Sequence, residues 1–284
     1  MGEFLLLTRN SLRRQFGRPR ILVAALLTIC CALLAFFEVP KYLVEHHKTF
    51  QALEPFIFLF SKGFPDIPVL AVFLVLSGDM PFFHEGMETT LIRTTRRKWL
   101  NGQIAVVWIL TLLWLLFFLL CSLCVFGRDL LSLNNRWSSF GKVLARTGRG
   151  VKVVKVGFGL GAQPSMDLIQ GRTPLGALGL TLLLNAMQFT CIGMWCMGLN
   201  LWTKRSYGSI VLVVFWILRR FGDGYGAVGK TLNYLNPIGL TALGSWDIRP
   251  EVAWRIGLIY VFEVAALWVL SLRRIRRMDM TKLG

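Results

Sequence analysis

Residues 100–126 contain no charged side chain at all. About 20 apolar residues already cross a hydrocarbon core of about 30 Å, so this run is long enough to span a bilayer. In hydrocarbon every backbone polar group must find its partner within the protein, which leaves helices and closed barrels as the only spanning solutions. Further apolar runs lie at 21–37, 67–83, 174–202 and 252–272, with another starting at Tyr207. Their lengths predict an all-α integral membrane protein with about six transmembrane helices, and not a soluble enzyme. The run from Tyr207 meets Arg219 and Arg220 after about a dozen residues, short of a full span. It reads as re-entrant or as continued by a half-helix. Charged residues make up 17% of the chain, against about a quarter in globular proteins, and hydrophobic residues 55%.

Residues 1–20 carry five arginines and one acid, Glu3, with Phe4, Leu5, Leu12 and Phe16 at roughly helical spacing. This predicts an amphipathic helix on the inner leaflet. Domain organisation follows as 1–20, the cytoplasmic amphipathic helix, and 21–284, the transmembrane domain. No small-x-small cleavage site follows 21–37, so that run is read as an uncleaved first span rather than a signal peptide. The net charge of +17 would suggest nucleic acid in a soluble protein. Here Lys and Arg lie mostly between apolar runs, where they set orientation and meet anionic membrane lipid, so no nucleic-acid partner is expected. With both termini inside, the inner segments hold sixteen basic residues and the short outer segments seven. Loop 127–173 opposes this with eight more on the outside. The balance predicts cytoplasmic N- and C-termini in a multi-pass protein of a bacterial-type inner or plasma membrane. Loop 127–173 becomes a small extracellular region, with a short hairpin plausible at 151–156.

Several motifs resemble catalytic signatures without their context. Gly224–Thr231 matches GxxxxGK[ST], but lacks the strand and helix that cradle phosphate and falls on the outer side. Leu76-Ser77-Gly78-Asp79 faintly echoes an ATPase signature at the end of an apolar run. His84-Glu85-Gly86-Met87-Glu88 departs from HExxH only at its fifth position, where Glu88 replaces the second histidine, and His46 and His47 lie on the opposite side. Cys121 and Cys124 form CxxC spacing within an apolar run, where small buried filler is the better reading. The six cysteines suggest no disulfide framework, and no catalytic residue, cofactor or metal is expected on this chain. Glu263 lies within the last span, where a carboxylate must face the bundle or a cavity. It reads as a structural contact or as lining a translocation path. Asn185 and Gln188 read as interhelical glue, and are the other polar candidates for such a path.

Residues 77–102 carry Glu85-Gly86, Glu88, Leu91, Thr94, Arg97 and Trp99-Leu100-Asn101-Gly102. This stretch resembles the first cytoplasmic loop of type-2 ABC exporter permeases. Gln103 stands where that family usually has lysine. The basic amphipathic start resembles the family's connecting helix, and Tyr234-Leu235-Asn236-Pro237 its proline-bearing stretch before the last span. The resemblance implies a transmembrane subunit without its own ATPase, with ATP and Mg bound on a partner ABC ATPase subunit. The cytoplasmic coupling loop 79–99 would seat in a groove of that partner through Glu85, Gly86, Glu88, Leu91, Thr94 and Arg97. A second permease copy, or a related permease, would complete the path for a peptide, lipid or other amphiphile. Two other readings compete: an ATP-independent membrane transporter, and a membrane-embedded lipid-modifying enzyme.

Overall fold

The computed structural model describes residues 2–37, 39–60, 67–81, 95–147, 166–203, 205–222, 238 and 250–277. The described residues are mostly helical. Four helices are long and apolar enough to cross a membrane: Pro19–Glu45, Arg96–Cys124, Pro174–Thr203 and Ala253–Arg277. We label the elements α1 (Gly2–Phe16), α2 (Pro19–Phe36), α3 (Val39–Glu45), β1 (Phe50–Gln51), α4 (Glu54–Phe60), α5 (Ile67–Ser77), α6 (Arg96–Cys124), β2 (Leu131–Ser132), α7 (Ser139–Thr147), α8 (Met166–Gly171), α9 (Pro174–Thr203), α10 (Gly208–Gly222) and α11 (Pro250–Arg277).

Within the predicted span 67–83 a helix forms over Ile67–Ser77 and ends before Gly78. Two short apolar helices, α4 and α5, follow one another along α9. Asn185 of α9 donates to the Phe60 carbonyl at the end of α4 (3.2 Å). Phe73 of α5 lies level with Gly193, and the residues just past α5 reach Asn200. From Asn185 to Asn200 is fifteen residues, about 22 Å along the helix axis. Residues 61–66 between the two helices include Gly63 and Pro65, which disfavour an unbroken helix. Asn185 thus satisfies a carbonyl that α4 leaves open at its end. The helix α10 runs through Arg219 and Arg220 to Gly222, and its apolar part, Gly208–Leu218, is also short.

In α2 the buried face carries Ala24, Thr28, Ala32 and Ala35, small residues at helical spacing that let α5 and α6 approach closely. Its other face exposes Leu22, Leu26, Leu33 and Leu34, as a lipid-facing surface requires. At the centre, Trp114 packs on Phe189 with ring centroids 4.8 Å apart and donates its indole N–H to the Thr28 hydroxyl (3.2 Å). In water a bare apolar core would bring helices together. In a bilayer close packing and bonds of this kind must do more of it.

The helix α1 packs on α6 by a face other than the apolar stripe of Leu5 and Phe16. Thr8 and Gln15 are buried, whereas Leu5, Leu6 and Phe16 are more than half exposed. Gln103 of α6 donates to Ser11 (3.3 Å), and Gly102 lets Leu7 and Thr8 approach. The bundle takes a mixed face of α1 that includes Leu7 and Leu12, leaving Leu5, Leu6 and Phe16 outward with Arg9 and Arg13, as suits an interfacial helix.

At the opposite end from these arginines, β1 and β2 form a two-stranded parallel pair, Phe50 beside Leu131. Phe36, Tyr42, Phe50, Phe58, Phe126, Trp137 and Phe140 build an aromatic layer over it. The stretch 127–173 is fastened at its base, where the Trp137 indole N–H donates to the Arg172 carbonyl (2.6 Å). The hairpin predicted at 151–156 lies outside the described residues.

Candidate functional site

Glu85, Gly86, Glu88, Leu91 and Thr94 lie outside the described residues. The structure describes the two roots of their segment, which both stand at the basic end of the bundle.

At the first root the chain leaves α5 through Gly78, Asp79, Met80 and Pro81. The Asn200 amide, near the end of α9, donates to both the Gly78 and Met80 carbonyls at 2.7 Å. Its Oδ1 accepts the Gly208 N–H, also at 2.7 Å, where α10 begins. One side chain therefore joins the exit of α5, the end of α9 and the start of α10. A Cβ at position 208 would sit 2.6 Å from the Cys196 carbonyl oxygen, so only glycine allows this approach. Asp79 adds an ion pair with Arg20 at the start of α2.

At the second root Thr95 caps α6, its hydroxyl accepting the Lys98 N–H (3.3 Å). The next residue, Arg96, reaches across to α11 and donates to the Ile275 and Arg276 carbonyls (3.0 and 2.8 Å). Those carbonyls belong to the last turn of α11, where orphan acceptors and the negative end of the helix dipole favour a guanidinium. Arg97 lies 5.5 Å over the Trp268 ring. Arg274 does the same work for α9, donating to the Trp202 carbonyl (3.2 Å) and lying over the Trp202 ring. Arginines that orientation rules treat as a simple charge excess thus cap specific helix ends. We expect Arg96→Gln to lower stability by about 1–2 kcal/mol, because two carbonyls at the end of α11, one part-buried and one exposed, lose a charged donor. Thermal denaturation in detergent checks this, with Arg93→Gln as the comparison.

The three polar candidates within the apolar helices all bond to other parts of the chain. Asn185 donates to Phe60 and to the Thr181 carbonyl, and Gln188 to the Ile238 carbonyl at 2.7 Å. Glu263 accepts from the Cys191 thiol (2.9 Å). Asn185 and Gln188 stand on α9 and Glu263 on α11, each with a separate partner. Among the described residues no group of three His, Cys, Asp or Glu side chains is placed to hold a metal ion, and the six cysteines are free thiols.

Sequence reasoning missed Asn200, Arg20 with Asp79, and a carboxylate at the far end. Glu54 begins α4, is fully buried, and accepts the Ser138 N–H and O–H, each at 2.6 Å. Glu followed by Pro before an apolar run signals a helix start, but its burial depends on Ser138, 84 residues away.

No family model, curated protein or solved structure matches this chain.

Proposed function

We propose that this chain is the transmembrane permease subunit of an ATP-driven ABC exporter, coupled to a separate nucleotide-binding subunit. Six spans, with α4–α5 and α10 as broken or short ones, would place both termini in the cytoplasm of a plasma or inner membrane. A second copy or a related permease would complete the path for a peptide, lipid or other amphiphile.

One observation carries this reading. The segment 82–94 is rooted at both ends in side-chain contacts that reach four other helices. Its first root is tied to α9 and α10 through Asn200 and to α2 through Arg20; its second is tied to α11 through Arg96 and Arg97. A solvated anchor loop has no need of such roots. Displacement of this segment by a partner would be passed to the bundle as a rigid-body shift, the way packed elements switch between discrete arrangements. The acids Glu85 and Glu88 beside Arg93 suit recognition by a charged groove.

The test is a mild-detergent pull-down of the tagged chain with mass spectrometry of what accompanies it. A stoichiometric ABC ATPase is expected. Recovery of the chain alone, under conditions that preserve a known permease–ATPase complex, would instead support a lone transporter or a lipid-modifying enzyme. Within a recovered complex, Glu85→Arg is expected to abolish substrate-stimulated ATPase activity while leaving the chain folded. Unchanged stimulation would remove Glu85 from the coupling set.

A further inference from the structure

Between α6 and α11 runs an open apolar groove of about 590 Å³. The two helices are antiparallel here: Arg96 meets Ile275, Asn101 meets Trp268, and Trp108 shares the groove with Val261. On α6 the residues Arg97, Asn101, Ala105 and Trp108 recur at helical spacing and form one stripe. On α11 the facing stripe is Val261, Ala265 and Trp268. The small side chains of Ala105 and Ala265 leave the space, and the groove is open on its outer side, with Val261 55% exposed.

The groove is polar at one end only. There the Trp268 indole donates to the Asn101 side-chain oxygen (2.9 Å), and the exposed Arg97 guanidinium lies over the same indole. From Arg97 to Trp108 is about 16 Å along α6, half of a hydrocarbon core about 30 Å thick. The feature is therefore one leaflet deep, apolar along its length, and cationic at its mouth, with a tryptophan at headgroup level.

We propose that this groove is a binding site for an anionic phospholipid of the leaflet at the basic end. One acyl chain lies between Ala105 and Ala265, and its phosphate is met by Arg97. A second copy of the chain is a poorer occupant. A twofold contact here would place Arg97 and the arginines ending α11 against their own copies, and like charges oppose that. The inference rests on the chain lying in a bilayer and not on the exporter reading.

The test is native mass spectrometry of the full chain released from bilayers of equimolar phosphatidylglycerol and phosphatidylcholine with identical acyl chains. Phosphatidylglycerol is expected to be retained about fivefold over phosphatidylcholine, the preference one arginine confers at a membrane surface. Arg97→Gln should remove that preference, and Ala265→Phe, at an exposed position, should fill the groove and lower retention of both lipids. Equal retention of the two lipids by the wild type, or unchanged retention in Ala265→Phe, overturns the proposal. So does an Ala265→Cys variant that crosslinks to its own copy in the membrane, which would make this face a dimer contact. Absence of an ATPase from the pull-down would leave all these outcomes readable.

Discussion

Asn200→Leu is expected to be the most damaging single change at the basic end of the bundle, costing roughly 2–5 kcal/mol. Leucine matches asparagine in bulk but supplies neither donor nor acceptor. The Gly78 and Met80 carbonyls and the Gly208 N–H would all lose their partner. Each interhelical bond is worth about 0.6 kcal/mol on average in a bilayer, but a buried polar group left unpaired costs about 1–3. Thermal unfolding in detergent, followed by the monodisperse fraction on gel filtration, measures the loss. Asn200→Asp separates this account from a loosely solvated loop. Aspartate keeps an acceptor for Gly208 but turns oxygens toward two carbonyl oxygens, so it should be at least as harmful as leucine. If Asn200→Asp melts like the wild type, water and not Asn200 satisfies those carbonyls, and the first root is not rigid.

The second large effect arises at Glu54. Its carboxyl group is fully buried and accepts the Ser138 N–H and O–H, each at 2.6 Å, and the Gln51 N–H at 3.4 Å. Glu54→Leu removes the acceptor for all three donors, and a buried polar group left unpaired costs about 1–3 kcal/mol. A loss of roughly 2–5 kcal/mol is expected in thermal unfolding in detergent. Glu54→Gln keeps a side-chain oxygen to accept the Ser138 N–H and should cost less. A Glu54→Leu variant that melts like the wild type would mean that Ser138 is satisfied without Glu54. The site is also tightly packed, because a Cβ on Gly141 would lie 2.9 Å from a Glu54 carboxylate oxygen. Gly141→Ala should therefore strain it.

The long apolar helices were legible in the residues themselves. A charge-free stretch such as 100–126 has one stable conformation in hydrocarbon, because each N–H must bond within its own segment. The apolar runs at 100–126, 174–202 and 252–272 coincide closely with α6, α9 and α11, and the run from Tyr207 with the short α10. The helix α4 is not legible there, because Glu54–Phe60 is only seven residues long and its end is satisfied by Asn185 from another helix. Periodicity sets Leu5 and Phe16 on one face of α1, but nothing local marks Thr8, Ser11 and Gln15 as the face that α6 accepts.

Residue order alone thus settles the class of solvent and the elements that solvent permits: apolar runs, their lengths, and the basic segments between them. These depend on transfer free energies that act on each segment separately. The tertiary structure alone decided which polar groups meet. Asn200 gathers three backbone groups from two separate segments, Arg96 caps a helix that begins 154 residues later at Pro250, and Glu54 is held by Ser138. Such pairings depend on distances of 2.6–3.0 Å between atoms that periodicity does not relate. They are set only when the helices have packed, since in a bilayer close contact and hydrogen bonding, more than burial of apolar area, choose the arrangement.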